Sequence, residues 1–175
     1  MFPEYSGAVL TRDDIKKLLG KSPPLVEGLL NAEQQLQQNG IDLTIRDIAL
    51  LASAGRMGAA ADDRSISRAT PLDFDSLGYV ELLPGPYIIT FNEIVHLPRN
   101  IMALGRPRSS LLRCGVTVGT AVWDAGYEGR SQALLIVHHR SGFRLQQNAR
   151  VAQLVFFCLT SDTEAYHGKY QHENI

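Results

Sequence analysis

The chain has few cysteines and no long apolar run. Its two cysteines, Cys114 and Cys158, are too few for the disulfide framework of a small secreted domain. Both stand in apolar or strand-like surroundings, which predicts two buried thiols. No apolar run approaches the roughly 20 residues that span a bilayer. The first residues, "MFPEYSGAVLTRDD", also lack the basic-then-apolar layout of a signal peptide. These absences predict a cytoplasmic protein that does not enter a membrane.

Net charge is also nearly absent, at -1 for 175 residues. This value gives no general attraction to nucleic acid or to acidic lipid, so neither is an expected partner. A local group of arginines could still bind a phosphorylated ligand. The length suits one domain over residues 1–175 with its own core. The last residues, 161–175, are polar, and this tail is expected to be mobile when alone.

Helical patterns are short. "LTRDDIKKLLG" predicts a helix that begins after the cap Thr11, carries the capping-box acid Asp14 and ends at Gly20. "SSLLRCG" predicts a second short helix, capped by Ser109 or Ser110 and stopped at Gly115.

Strand patterns dominate the rest of the chain. "GIDLTIRDIALL" alternates apolar and polar residues and predicts a half-buried strand. Residues 52–78 predict a loop with one short strand at "RSIS". The adjacent His138 and His139 would point in opposite directions in a strand, which predicts exposed or edge side chains and no metal pair. Further strands are predicted at 79–83, 86–91, 93–97, 101–107, 116–123, 131–139, 143–147 and 149–160, a pattern typical of a β-sandwich or barrel.

Five stretches together resemble a known superfamily. "RPRSSLLRCGV", "AVWDAGYEG" and "ARVAQLVF" resemble three successive motifs of the dUTPase and dCTP deaminase superfamily. "QQNGIDLTI" is similar to its first motif, and "YHGKYQ" to the tail of dCTP deaminases and archaeal-type dUTPases. The resemblance implies a mainly β fold, namely a distorted β-barrel of the dUTPase-like, β-clip kind with short helices. It also implies a homotrimer with active sites at the subunit interfaces.

The first of these motifs has the chemistry of a triphosphate site. Arg108 offers a fork of N–H groups, Ser109 and Ser110 offer hydroxyls, and the start of a helix offers free backbone N–H groups. The alternative is an ordinary helix cap beside a surface arginine. The resemblance adds Arg113 and Gln153 as substrate contacts, Gln153 at the phosphates. In isolation, a glutamine in an apolar strand would more often bond a neighbouring backbone group, and Arg150 is interpreted as structural.

The second motif is expected to hold the nucleoside. The resemblance implies that Asp124 contacts the deoxyribose 3′-hydroxyl and activates the water that attacks the α-phosphorus. It implies that Tyr127 packs under the deoxyribose and leaves no room for a 2′-hydroxyl. Gly126 and Gly129 would allow a tight hairpin that reads the pyrimidine edge. The alternatives are a turn aspartate bonded to local backbone and a tyrosine that only packs in the core. The remaining expected substrate contacts are Gln132, Leu134, Tyr166 and Lys169.

One position distinguishes the two branches of the superfamily. Deaminases carry a glutamate on the strand after the hairpin, and here that position is Leu134, which cannot shuttle a proton. The deaminase proline after the aspartate is replaced by Ala125. This favours hydrolysis of dUTP to dUMP and pyrophosphate, with Mg²⁺ held through the triphosphate oxygens and by no protein ligand directly. The alternatives are a dCTP deaminase, a bifunctional enzyme, or a non-catalytic deoxynucleotide-binding trimer.

Three features depart from the family pattern. Val137 stands where the family often has asparagine, and Glu173 where the tail often has glutamine. A carboxylate at residue 173 would repel phosphate unless it faced away. The glycine-rich C-terminal arm of many dUTPases has no counterpart here.

Overall fold

The computed structural model describes residues 8–60 and 62–175. The first seven residues of the N-terminal stretch "MFPEYSGAVLTRDD" therefore lie outside the described residues. The helices are α1 (Arg12–Leu19), α2 (Ala32–Gln35) and α3 (Ser109–Arg113). The strands are β1 (Val26–Glu27), β2 (Leu36–Gln37), β3 (Gly40–Leu51), β4 (Arg56–Met57), β5 (Arg64–Ser65), β6 (Ala69–Leu72), β7 (Tyr79–Leu82), β8 (Gly85–Phe91), β9 (Ile94–His96), β10 (Ile101–Pro107), β11 (Val116–Gly119), β12 (Val122–Trp123), β13 (Glu128–Gly129), β14 (Gln132–Val137), β15 (Phe143–Gln146) and β16 (Arg150–Cys158).

The largest sheet in the described residues has nine strands. Its order is β11-β14-β8-β3-β16-β10-β12, with β2 and β6 also paired to β3. Smaller sheets contain β1-β9-β13, β15-β7 and β4-β5. The large sheet buries Phe91, Phe156 and Leu135 completely. The mainly β architecture with short helices is confirmed. No helix in the described residues combines the length and apolar character that a membrane crossing needs.

Helix α1 begins and ends where its sequence predicts. Thr11 is the N-cap, and its hydroxyl accepts from the backbone N–H of Asp14 at 3.4 Å. The Asp14 carboxylate in turn accepts from the Thr11 hydroxyl at 2.6 Å. Gly20 is the C-cap. The local sequence is sufficient here because each of these contacts spans fewer than four residues.

Strand β3 is confirmed, but its predicted half-burial is wrong for its first half. Asp42 and Thr44 are both only 2% exposed. Thr44 donates to the buried carboxylate of Glu93 through its N–H at 2.9 Å and through its hydroxyl at 2.6 Å. Gln35 donates to the same carboxylate at 2.7 Å. Burial raises the pKa of Glu93, and these hydrogen bonds oppose the rise. The polar face of β3 is therefore covered by partners distant in sequence.

Helix α3 has a different cap from the predicted one. Arg108 is the N-cap and makes no side-chain capping bond, so Ser109 and Ser110 are the first two helical residues. Cys114 is the C-cap, and Gly115 follows it with φ 69°. Cys114 is exposed, so its predicted burial is wrong, whereas Cys158 is buried as predicted.

Two further predictions need correction. Residues 52–78 contain β4 and β6 in addition to the predicted strand at β5, because β6 pairs with the end of β3 and β4 pairs with β5. Strand β14 ends at Val137, so His138 and His139 lie beyond it. Both histidines are exposed, as expected.

Candidate active site

A cavity of about 260 Å³ lies where β12, the hairpin at 125–130, the start of β14 and the C-terminal tail meet. Four of the predicted site residues line it: Asp124, Tyr127, Gln132 and Tyr166. The structure therefore brings residues that are distant in sequence to one cavity. Trp123, Ser131 and Glu173 also line the cavity. No motif in the sequence predicts a site role for the first two, and Glu173 departs from the family pattern.

Asp124 lies at the edge of this cavity with an exposed side chain. Its carbonyl accepts from the N–H of Tyr127 at 3.1 Å, which closes the turn. Within residues 8–60 and 62–175, its carboxylate has no hydrogen bond or ion pair. The turn thus fixes the backbone and leaves the carboxylate able to bind a ligand or accept a proton.

Tyr127 forms one wall of the cavity and is only 6% exposed. Its ring meets Tyr166 edge to face, with centroids 5.8 Å apart and planes at 67°. Its hydroxyl lies 2.9 Å from Ser131 Oγ and donates to Glu173 Oε1 at 2.9 Å. Burial raises the pKa of Tyr127 far above its ordinary value, and Glu173 adds to the rise while Ser131 opposes it. The hydroxyl therefore stays protonated at neutral pH.

Two glycines let the hairpin and the tail approach this tyrosine. Gly126 has φ 81°, and a Cβ there would lie 2.6 Å from the Cα of Ala165. A Cβ at Gly129 would lie 2.6 Å from the Tyr127 hydroxyl oxygen. A side chain at either position would displace the tail or the ring.

The tail packs on the hairpin of its own chain. Tyr166 N–H donates to the carbonyl of Ala125 at 2.9 Å, and Arg130 N–H to that of Glu173 at 2.9 Å. Glu173 thereby faces the cavity, where burial raises the pKa of its carboxyl and the bond from Tyr127 opposes the rise. Lys169 is exposed, with its Nζ 5.9 Å from the ring centroid of Tyr170. Mobility of the tail before a ligand binds stays a prediction.

The Arg-Ser-Ser motif forms a separate cluster around Asp42. Arg108 Nη1 bonds Asp42 Oδ2, and Arg150 Nη1 bonds the same oxygen at 3.2 Å. Burial raises the pKa of Asp42, although the two arginines oppose the rise. Ser109 and Ser110 remain exposed beside this cluster. Asp42 therefore anchors Arg108, a role that no pattern in the sequence predicts.

Gln153 and Arg113 lie near the same motif. Gln153 pairs with Asp42 on one side and Arg106 on the other, so the three side chains share one face of the sheet. Arg113 Nη1 donates to the carbonyl of Ser109 at 3.2 Å.

Leu134 lies on β14, two residues after Gln132 and thus on the same face of the strand. Its strand neighbours in register are Gly119 and Ile88. This position offers no carboxyl group. The acid in the hairpin, Glu128, lies 3.4 Å from His96 Nδ1.

The cavity and the Arg-Ser-Ser motif lie at opposite ends of β10. Trp123 pairs with Ala103, which places Asp124 beside Met102, and both residues border a second cavity of about 300 Å³. Arg108 follows Met102 by six positions. At roughly 3.3 Å per strand residue, Asp124 and Arg108 are on the order of 20 Å apart. One chain therefore does not bring the two halves of the predicted site together.

A family model described as dCTP deaminase-like matches residues 9–159. The chain belongs to the dCTP deaminase-like family. A relative in Methanosarcina mazei, named probable deoxyuridine 5′-triphosphate nucleotidohydrolase, is 44% identical over 95% of this chain and 98% of its own. A relative of the same name in Archaeoglobus fulgidus is 44% identical over 96% of this chain and 98% of its own. The superfamily resemblance is confirmed.

A solved structure supports the same fold. The 2′-deoxycytidine 5′-triphosphate deaminase of Agrobacterium tumefaciens superposes with a TM-score of 0.67 at 21% identity. The match covers 87% of this chain and 48% of that longer chain. The predicted dUTPase-like fold class is thereby confirmed.

Proposed function

We propose that this family member hydrolyses dUTP to dUMP and pyrophosphate. The observation that carries the proposal is the Asp124 carboxylate, which bonds no described residue and lies at a cavity walled by Tyr127. Leu134 stands where the deaminase branch carries its glutamate, so the site lacks the proton shuttle for deamination. The names of the two archaeal relatives support the same reaction.

In the proposed mechanism, the deoxyribose lies on the Tyr127 ring and its 3′-hydroxyl bonds Asp124. The Asp124 carboxylate takes a proton from a water, whose oxygen attacks the α-phosphorus. The bond between the α-phosphorus and the bridging oxygen breaks, and pyrophosphate leaves with the electron pair. Asp124 then releases the proton to solvent. Positioning and proton acceptance are thus both assigned to one exposed side chain.

Mg²⁺ is proposed to enter as part of the substrate. Residues 8–60 and 62–175 contain no group of three or more His, Cys, Asp or Glu side chains that could hold a metal ion. Mg²⁺ prefers phosphate oxygens and water to an all-protein cage. A Mg²⁺–triphosphate complex is therefore the form of dUTP that fits this donor set.

The complete site is proposed to need a second copy of the chain. The outer face of β10, β12 and β16 carries half-exposed or exposed apolar side chains, Met102, Leu104, Val122 and Phe157. A copy that covers this face could bring its own helix α3 (Ser109–Arg113) to the cavity, with Gln153 and Lys169 as further phosphate contacts. The resemblance favours a homotrimer, and closed rings are the usual outcome of such repeated contacts.

Product analysis with dUTP and dCTP tests the reaction. With Mg²⁺, dUTP should yield dUMP and pyrophosphate, whereas dCTP should keep its amine. Leu134→Glu alone should not create an efficient deaminase, because the surrounding proton network would also be missing. Conversion of dCTP to dUTP or dUMP at a rate that rivals dUTP hydrolysis would refute the assignment of Leu134.

Subunit mixing tests the shared site. Asp124→Asn removes the base, and Ser110→Glu places a negative charge at the exposed start of α3, where phosphate is proposed to bind. Each variant alone should be nearly inactive. If a site takes its pocket and its phosphate motif from different chains, random co-assembly after denaturation and refolding should restore about a quarter of the sites. Absence of any recovery in trimers shown by mass to be mixed would place both halves in one chain.

A further inference from the structure

A series of hydrogen bonds joins the tail to three buried residues that line the cavity. Trp123 Nε1 donates to Ser131 Oγ at 2.5 Å, and Ser131 Oγ lies 2.9 Å from the Tyr127 hydroxyl. The Tyr127 hydroxyl donates to Glu173 Oε1 at 2.9 Å. Four residues from β12, the hairpin, the turn before β14 and the tail thus form one connected group.

The two groups at the ends of this series determine which atom donates in each hydrogen bond. An indole N–H can only donate, and an ionised carboxylate can only accept. Ser131 therefore accepts from Trp123 and donates to Tyr127, and Tyr127 donates to Glu173. Every hydroxyl proton in the group has a single acceptor, so the Tyr127 hydroxyl has one preferred orientation.

The group is buried except at the tail. Trp123, Tyr127 and Ser131 are 4%, 6% and 5% exposed. Glu173 is half-buried and comes from a segment that has no strand or helix of its own. The other three residues are held by the core, so Glu173 is the member whose contribution depends on docking of the tail.

We infer that Glu173 is a positioning residue that acts through Tyr127, so that docking of the tail sets discrimination between deoxyribonucleotides and ribonucleotides. The inference rests on the proposed function, in which the Tyr127 ring lies under the deoxyribose and excludes a 2′-hydroxyl. A ring free to tilt would admit the larger sugar. The Glu173 carboxylate is held at the tyrosine, which also explains how an acid is tolerated near a triphosphate site.

Three variants test this role. Glu173→Ala removes the acceptor, Glu173→Gln keeps an acceptor oxygen, and Asp162→Ala removes an exposed tail acid that lines no part of the cavity. The ratio of kcat/KM for dUTP to that for UTP should fall about tenfold in Glu173→Ala, the size of one charge-assisted hydrogen bond. It should stay within about threefold in Glu173→Gln and unchanged in Asp162→Ala.

The Tyr127→Phe background separates action through the tyrosine from a direct effect. Tyr127→Phe keeps the ring but removes the link, so adding Glu173→Ala to it should not lower the ratio further. An unchanged ratio in Glu173→Ala, or an equal loss with and without the Tyr127 hydroxyl, would overturn the inference.

The chain's single tryptophan supplies a readout that needs no enzymatic activity. Because Trp123 lies at the end of this series of hydrogen bonds, its fluorescence emission should shift in Glu173→Ala. In Glu173→Gln the emission should match that of the unaltered protein. If the unaltered protein hydrolyses neither nucleotide, the proposed function fails. The inference is then decided by the ratio of dissociation constants for dUTP and UTP, measured by calorimetry in the same variants.

Discussion

Two aspartates at the two ends of β10 have opposite surroundings. Asp42 is buried and bonded to Arg108 and Arg150. Asp124 is exposed, and its carboxylate has no partner in the described part of the chain. Each stands beside a motif that the sequence marks as functional. The comparison shows that the Asp42 carboxylate is used in contacts within the protein, whereas the Asp124 carboxylate is accessible to a ligand.

The two aspartates also differ in the role that their surroundings allow: Asp42 positions an arginine, whereas Asp124 can take part in a reaction. The Asp42 cluster holds an arginine at the start of α3, because Arg108 and Arg150 both donate to one oxygen of the Asp42 carboxylate. The pocket around Asp124 instead holds Tyr127 by hydrogen bonds, and no described residue bonds the Asp124 carboxylate. A carboxylate without protein partners can bind a ligand and accept a proton from it.

Asp124→Asn should produce the largest effect. The amide keeps the shape of the side chain but is a very poor base, so hydrolysis of dUTP should fall by about 10²–10⁴. The melting temperature should not change, because no described residue bonds this carboxylate. Pyrophosphate release and a thermal scan of the same sample check both statements. Near-normal turnover would assign the base to another residue.

Gly129→Ala should produce an intermediate effect, on the stability and selectivity of the cavity around Tyr127. The added Cβ would lie 2.6 Å from the Tyr127 hydroxyl oxygen and 2.9 Å from its Cζ. The buried ring must move, at a cost of about 1–3 kcal/mol in the free energy of unfolding. Discrimination between dUTP and UTP should fall with it.

A matched glycine elsewhere supplies the control for this change. At Gly20 the nearest atom to an added Cβ is the Lys17 carbonyl oxygen at 3.5 Å, an ordinary contact. Urea denaturation of both variants tests the difference. Equal stability of Gly129→Ala and Gly20→Ala would show that the Tyr127 ring is not confined.

The sequence was informative wherever contacts are local or side chains alternate. The Thr11–Asp14 capping box predicted the start of α1, and alternation predicted β3. Alternation did not reveal that Asp42 and Thr44 are buried, because their partners Arg108 and Glu93 are 66 and 49 residues away. Long-range partners of this kind leave no periodic pattern in the chain.

The same limit applies to the candidate site. Asp124 and Tyr127 were predicted because a short motif carries them. Ser131 has no motif of its own, and its place between Trp123 and Tyr127 becomes visible only in the folded hairpin. The sequence predicts that Glu173 repels phosphate unless it faces away, since no pattern places it against a tyrosine hydroxyl.

Asp42→Asn should have the smallest effect of these changes. The sign of its effect on stability tests whether burial or the two arginines dominate at Asp42. Burial raises the folded-state pKa of Asp42 above its ordinary 3.8 despite both arginines, so burial costs the charged form more than the ion pairs return. A carboxyl with a raised pKa contributes stability that is present below its unfolded pKa. That contribution is lost as the pH rises through the folded pKa.

Asp42→Asn lacks this titration but keeps an acceptor oxygen for the arginines. The unaltered protein should therefore lose stability relative to the variant between about pH 3 and about pH 7, as measured by urea denaturation at both values. If the unaltered protein instead gains on the variant as the pH rises, the arginines outweigh burial. The charged form of Asp42 would then stabilise the fold as well as position Arg108. Asp42 would thus differ from Asp124 in its effect on stability as well as in its burial and its partners.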